Sequence, residues 1–150
     1  MFHFNLQQVL NLREQKEESR ELEFAQAKRR LEQEEERLTF FKNRRDRCQR
    51  ELLEHERQGV SQEEIALYGP YMEFLKSKIQ LQIELVASAR NQMEKKKAEL
   101  LDARKDRKIL ERLRSKRYQI FMTESGRREM KQLDEVALGG FYQRAPEKRG

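Results

Sequence analysis

Residues 72–110 read MEFLKSKIQLQIELVASARNQMEKKKAELLDARKDRKIL. Apolar side chains recur in this stretch at alternating steps of three and four residues, a repeat that makes two helices wrap around each other. The first half of the chain carries the same repeat. The two seams are Phe24, Ala27, Leu31, Glu34, Leu38, Phe41, Arg45, Cys48 and Leu52, followed by Ile65, Tyr68, Met72, Leu75, Ile79, Gln82, Val86, Ala89, Met93, Lys96, Leu100, Ala103, Arg107 and Leu110.

A short break between the seams predicts a turn. Gly59 suits the position after a helix, where a residue without Cβ turns left-handed. Ser61 suits an N-cap, and Glu64 completes a capping box. We therefore predict an all-α fold, a long antiparallel two-helix coiled coil whose second helix outruns the first. The predicted segments are a hairpin over 1–144 (helix one about 4–57, turn about 58–61, helix two about 62–138, ended by Gly139-Gly140) and a disordered basic tail over 145–150.

Gly69-Pro70 interrupts the start of helix two, since proline inside a helix removes a backbone donor and clashes with the preceding turn. Either Ser61–Tyr68 forms a short lead-in helix and a new helix starts with Pro70 at its first position, or one helix kinks there. The sequence leaves both open.

Pairing the helices about Gly59 places Leu6 opposite Leu113, so helix two outruns helix one. We expect residues beyond about Arg117 to lack an intramolecular partner. This overhang is amphipathic, and such a helix is marginal alone in water, so it should dock into a partner. Seam positions near the chain termini also hold charges, namely Arg13, Glu17, Arg20, Arg107, Arg114 and Arg117, which predicts a looser pairing there.

Composition argues against a catalytic core. Charged residues make up 40% of the chain and hydrophobic ones 36%, a profile typical of a solvated coiled coil. Cys48, the single cysteine, lies on a seam, which predicts a small buried side chain in a reducing compartment and no internal disulfide. His3 and His55 have no ligand-like neighbours. No catalytic, metal-ligand or phosphate-loop motif is visible, so we predict a protein that is not an enzyme, with no cofactor and no small-molecule substrate.

No targeting segment or bilayer-spanning apolar run is visible. We expect a cytoplasmic protein whose membrane association comes through partners.

The net charge of +6 arises in the second half of the chain, and much of it lies between Arg90 and Arg117. Such a stretch could track nucleic-acid phosphates or line an acidic groove. Carboxylates interleaved at helix-pairing distances favour instead a solvated coiled-coil flank. A nucleic-acid-binding coiled coil stays an alternative function.

A second stripe follows the seam on helix two, at positions that a two-stranded coiled coil leaves exposed. Lines of exposed aromatic and leucine side chains are typical of helix-in-groove contacts. Alternatively the helix rotates near the polar Gln82 and buries Leu81 or Ile83. The stripe consists of Tyr71, Phe74, Lys78, Leu81 and Leu85.

Several sequence elements, taken in order, resemble the flagellar FliJ family. They are an F-x-L-x-x-V-L-x-L-R-E opening (Phe4, Leu6, Val9, Leu10, Leu12, Arg13 and Glu14), a Y-x-x-F-L element (Tyr71, Phe74 and Leu75), a basic second helix, and a terminal K-x-L-D-E (Lys131, Leu133, Asp134 and Glu135). The resemblance runs essentially end to end.

That resemblance implies a non-enzymatic stalk and adaptor of the bacterial flagellar type III export apparatus, peripheral to the cytoplasmic face of the cell membrane. Its implied partners are the export ATPase ring, the cytoplasmic domain of the export gate, and export chaperones. The gate contact falls on Tyr71, Phe74, Lys78, Leu81 and Leu85. The ATPase contact falls on the terminal end, here Arg117, Tyr118, Phe121, Met122, Arg127, Arg128, Leu133, Asp134 and Glu135. The related O-type stalk of virulence type III secretion systems is an alternative.

Overall fold

A computed structural model describes residues 1–144, with side chains as far as Gly140, and almost all of these residues are helical. The helices are α1 (Gln7–Gln58), α2 (Gln62–Ala66) and α3 (Tyr68–Arg144). The described residues contain no strand. Helices α1 and α3 pair antiparallel, which confirms the predicted all-α helical hairpin.

Contacts within the chain define two compact units, a turn unit and a terminal unit. In the turn unit (residues 16–104), α1 and α3 run antiparallel on either side of the turn, because partners of rising number on α1 have falling numbers on α3. Glu17 pairs with Arg104, and Gln82 contacts Glu34. The core is a thin seam of buried apolar side chains, as a two-helix coiled coil requires. The buried apolar residues of this unit are Leu31, Cys48, Leu75, Ile79, Val86, Ala89, Leu100 and Ala103.

The turn has the local chemistry that the sequence predicts. Gly59 adopts φ +72°, and the N–H of Val60 donates to the carbonyl of His55 at 3.1 Å, so the end of α1 is closed by a left-handed glycine cap. The Ser61 hydroxyl then accepts a hydrogen bond from the N–H of Glu64 at 3.4 Å. These caps satisfy backbone groups that the helix ends would leave unpaired.

The structure interrupts the second half of the hairpin at Leu67 rather than at Gly69-Pro70. Helix α2 ends at Ala66, and α3 begins at Tyr68, two residues before the proline. Pro70 therefore lies in the first turn of α3, where its missing N–H has no intrahelical partner to lose. Leu67, the residue between α2 and α3, keeps a right-handed helical backbone (φ −69°, ψ −24°), so the two helices form a bent pair and Pro70 is the third residue of α3 rather than its first.

Two helix boundaries differ from their predicted positions. Helix α1 begins at Gln7 rather than near Phe4, and α3 continues through Gly139 and Gly140 to Arg144 rather than ending near 138. Neither glycine adopts a positive φ, so each keeps the right-handed backbone at a cost of about 1 kcal/mol relative to alanine. The predicted tail at 145–150 lies outside the described residues.

The terminal unit comprises residues 1–15 together with 105–150. Leu10 on α1 is buried, and the Arg13 guanidinium forms an ion pair with Asp106 at 2.8 Å. Phe4, which precedes α1, is also buried. The buried segment of this unit therefore starts before the first helix.

Several of the charged seam residues near the termini form ion pairs. In the turn unit Arg104 approaches Glu17 at 3.3 Å and Glu21 at 3.5 Å. Arg20 contacts Glu23 at 2.9 Å and Glu99 at 3.5 Å. Such pairs fix the alignment of two helices but add less stability than a well-packed apolar layer.

Candidate interaction surfaces

The second stripe on α3 lies in the turn unit and remains outside the seam. Phe74 and Leu81 are 53% and 52% exposed, Tyr71 and Lys78 are also exposed, and Leu85 is half-buried. The exposure follows from the helical period, because these positions flank the buried Leu75, Ile79, Gln82 and Val86.

Contacts within the stripe order its side chains. The rings of Tyr71 and Phe74 are stacked with centroids 6.4 Å apart. The Lys78 ammonium lies 5.5 Å from the Phe74 ring centre, a cation–π distance. The lysine therefore belongs to the stripe physically, and it adds one positive charge to an otherwise apolar contact surface.

Gln82 explains why the helix does not rotate to bury its neighbours. This side chain is buried, and its Nε2 donates to the Glu34 backbone carbonyl at 2.9 Å and also reaches the Glu34 carboxylate. A buried amide with partners stays in place. Leu81 and Ile83 are both exposed, so the wider-seam alternative is wrong.

A shallow cavity adjoins the stripe at the turn. It has a volume of about 350 Å³ and shares Tyr71 with the stripe. The Tyr68 hydroxyl and His55 Nδ1 are 3.4 Å apart, with the two rings edge to face. Burial raises the pKa of Tyr68, so the phenol keeps its proton. The cavity is lined by His55, Glu64, Leu67, Tyr68 and Tyr71.

In the terminal unit, aromatic side chains from the start of the chain cover part of α3. The Phe2 ring lies 5.1 Å from the Tyr118 ring and 5.5 Å from the Phe121 ring. Arg117 lies over Phe4 at 5.7 Å and donates to the Asn5 side chain. The expectation that residues beyond Arg117 lack an intramolecular partner is therefore wrong as far as Phe121. The six residues that precede α1 therefore continue the contact with α3 beyond the point where α1 begins.

Beyond Phe121 the apolar side chains of α3 are largely exposed. Leu133 is 64% exposed and Val136 73%. This part of the unit is the overhang that the sequence predicts, beginning about four residues later than expected. Its exposed large apolar side chains are Met122, Met130, Leu133, Val136 and Leu138.

The predicted site residues thus fall into three settings. The five stripe residues lie together on one face of α3 in the turn unit. In the terminal unit Arg117, Tyr118 and Phe121 pack against the segment that precedes α1. The others lie exposed along the overhang: Met122, Arg127, Arg128, Leu133, Asp134 and Glu135.

Phe2 is the residue that the sequence analysis missed. Phe2 precedes α1, so it is not part of the three-and-four-residue repeat that marks the seam. The only signal in the sequence is that it lies two residues before another aromatic residue, Phe4. Phe4 opens the family motif, but the motif alone does not show that its ring is buried against α3.

Metal binding and nucleophilic chemistry in the described residues would depend on their His, Cys, Asp and Glu side chains. No group of three or more His, Cys, Asp or Glu side chains among them is placed to hold a metal ion. Burial raises the pKa of the Cys48 thiol, with a smaller contribution from Glu51, so this cysteine stays protonated and poorly nucleophilic. Within residues 1–144, no helix has an apolar stretch long enough to cross a bilayer.

Several cations of the Arg90–Arg117 stretch are engaged by carboxylates. Arg90 contacts Glu35 at 3.0 Å, and Lys96 contacts Glu23 at 3.4 Å. Arg107 contacts Glu111 at 2.7 Å. These cations form part of a solvated coiled-coil flank, and their pairing with carboxylates weakens the case for nucleic-acid binding. Other cations of the stretch form no such pair among the described residues.

Two long antiparallel helices with a thin apolar seam place this chain in the class of two-helix coiled-coil proteins. The sequence model of the family described as Flagellar FliJ protein matches residues 2–146. The chain therefore belongs to the FliJ family of flagellar export components.

A curated relative agrees with this assignment. The Flagellar FliJ protein of Bacillus subtilis (strain 168) is 25% identical over 140 residues, which cover 93% of this chain and 95% of the relative. Because the match spans nearly both lengths, the resemblance between the two chains extends over the whole hairpin.

The fold has a counterpart among solved structures. The structure of a putative YscO homolog from Chlamydia trachomatis is similar to this chain with a TM-score of 0.67 and 22% sequence identity, and the match covers 97% of this chain and 99% of the other. At that identity the likeness shows the fold alone. The family match therefore favours a flagellar protein over the stalk of a virulence system.

Proposed function

We propose that this protein is a non-enzymatic stalk and adaptor of the flagellar export apparatus. It engages the ring of the export ATPase, couples that ring to the export gate, and handles export chaperones. The single observation that carries this proposal is that a chain of the FliJ family leaves large apolar side chains exposed in two separate places, the Tyr71–Leu85 stripe and the overhang.

The stripe is the proposed surface for the cytoplasmic domain of the export gate. Its support is chemical, because exposed aromatic and leucine side chains aligned along one helix face fit an apolar groove. Phe74 and Leu81 are the proposed anchors, since each is more than half exposed and would bury its ring or isobutyl group on binding. Lys78 favours an acidic group at the groove's edge.

The end of α3 is the proposed surface for the ATPase ring. Met122 and Leu133 are exposed there, and Arg127 and Arg128 supply positive charge beside them. A ring whose inner surface is apolar, with acidic or polar residues beside it, would bind both the apolar and the positively charged side chains. Asp134 and Glu135 would then meet polar or basic groups of the ring.

The location follows from these contacts. We place the protein in the cytoplasm, held at the cytoplasmic face of the cell membrane by the gate. Chaperone handling is part of the proposal because the family resemblance implies it.

A pull-down tests the proposal as a whole. The full chain, tagged at its N-terminus, is incubated separately with the export ATPase and with the gate's cytoplasmic domain. Both are expected to be retained, and addition of the chain is expected to raise ATP hydrolysis. Retention of neither protein would overturn the proposed function.

A further inference from the structure

A line of cations follows the outward face of α3 in the terminal unit. Lys105, Lys108, Arg112 and Lys116 are spaced by three, four and four residues, so they project from one side of the helix. All four are exposed, whereas Leu110, on the opposite side of the helix, is half-buried. At ~1.5 Å per residue the line is roughly 17 Å long. We call these four residues the basic face.

The basic face keeps its charge because the carboxylates within residues 105–116 pair with other cations. Asp106 and Glu111 are the acidic residues between positions 105 and 116. Asp106 pairs with Arg13 at 2.8 Å, and Glu111 pairs with Arg107 at 2.7 Å. No ion pair involves any of the four cations within the part of the chain that the structure describes. Their positive field is therefore available to an outside partner.

Aliphatic side chains border this charge. Ile109 is 63% exposed and Ile120 is 49% exposed, and both lie along the edge of the basic face. The nearest aromatic side chain of α3, Tyr118, lies off the basic face by the helical period and packs against Phe2. Nucleic-acid surfaces that track a strand combine cations with aromatic stacking platforms. Cations interleaved with aliphatic groups on a convex helix face suit the interface of an anionic bilayer instead.

We propose that the basic face binds an anionic membrane surface directly. This contact goes beyond the proposed function, in which the gate alone holds the protein at the membrane. Lys105, Lys108, Arg112 and Lys116 lie against acidic headgroups, while Ile109 and Ile120 enter the shallow interface. Each cation contributes roughly a fivefold gain in binding, so the contact is reversible and sensitive to salt.

Vesicle sedimentation tests this proposal with the full chain. The vesicles are phosphatidylcholine alone or an equal mixture with phosphatidylglycerol. The protein is expected to sediment with the mixed vesicles at low salt, to bind the neutral ones at least tenfold more weakly, and to be released as salt rises. Replacing the basic face by glutamine (Lys105→Gln, Lys108→Gln, Arg112→Gln and Lys116→Gln) should weaken binding at least tenfold.

A matched variant separates a local site from net charge. Lys28→Gln, Arg29→Gln, Arg30→Gln and Lys42→Gln remove four exposed cations of α1, so both variants fall from +6 to +2. The control should bind within about twofold of the unmodified chain. Ile109→Ser with Ile120→Ser should weaken binding a few fold. Circular dichroism checks that every variant folds.

Four results would overturn the proposal. They are absence of binding to the mixed vesicles, equal binding to the neutral ones, equal loss in both glutamine variants, and binding to duplex DNA without binding to vesicles. The last result would assign the basic face to nucleic acid. None of these outcomes depends on the gate or the ATPase, so the proposed function stands or falls separately.

Discussion

The side chain of Gln82 donates a hydrogen bond to the backbone carbonyl of Glu34 at 2.9 Å, across the seam of the turn unit. A polar residue thus occupies a core position with its amide satisfied. Leu81 and Ile83 lie about 100° to either side of Gln82 around the helix, and both are exposed. The Gln82 hydrogen bond, together with the buried Ile79 and Val86, therefore holds the rotation of α3 on which the exposure of the proposed gate surface depends.

Gln82→Ala should lower the free energy of unfolding by about 1–2 kcal/mol, since it removes this hydrogen bond and leaves space in the seam. Gln80→Ala, an exposed change two residues away, should stay within about 0.5 kcal/mol of the unmodified protein. Urea unfolding followed by circular dichroism measures both. Equal stability of the two variants would mean that the Gln82 contact contributes nothing to the seam.

Protonation of the Glu23 carboxylate at acidic pH should lower the stability of the folded protein. The hydrogen bond from Arg20 is the largest cause of its lowered pKa, and Lys96 adds to it. A lowered folded-state pKa stabilises the fold above the ordinary pKa of the carboxyl, and this contribution is lost as the pH falls through the folded-state value. The effect should be small, because the pair is partly solvated.

Glu23→Gln should accordingly reduce the fall in melting temperature between about pH 5 and pH 2. Glu18→Gln is the control, since Glu18 is exposed and forms no ion pair among the described residues. Thermal unfolding at a series of pH values gives the comparison. A Glu23→Gln profile that runs parallel to that of the unmodified chain would refute the assignment.

Phe74→Ala with Leu81→Ala should weaken binding to the gate domain at least tenfold while changing the melting temperature little. Both side chains are about half exposed, so their loss affects a partner more than the fold. Ile83→Ala with Leu101→Ala is the matched control, since these residues have similar exposure outside the stripe. Calorimetric titration measures binding. Unfolding of the stripe variant would place these side chains in the core.

Deleting residues from Met122 onward should preserve the fold of the remaining chain and abolish stimulation of the ATPase. The deletion leaves intact the contacts of Phe2 with Tyr118 and Phe121. Deleting from Tyr118 removes them, so that chain should melt at a lower temperature. A coupled ATPase assay and a melting curve test both deletions. Full stimulation by the shorter chains would rule out the end of α3 as the ring contact.

Local and periodic features could be predicted from the sequence, whereas packing outside the helices could not. The Gly59 cap and the Ser61 cap depend on a few adjacent residues, and the stripe follows from the helical repeat. Phe2 precedes the first helix, and its position is set by aromatic partners more than a hundred residues away. Gly139 and Gly140 misled the prediction because helix propensity is a weak prior. The partner of each surface cannot be deduced from the repeat at all.

The most direct test of the stalk-and-adaptor function is whether this chain bridges the ATPase and the gate. The gate's cytoplasmic domain is immobilised, and the amount of export ATPase retained is measured with and without the chain. The full chain should raise retention strongly, and neither the Phe74→Ala/Leu81→Ala variant nor the chain ending at Phe121 should do so. Equal retention without the chain, or with both variants, would contradict the account.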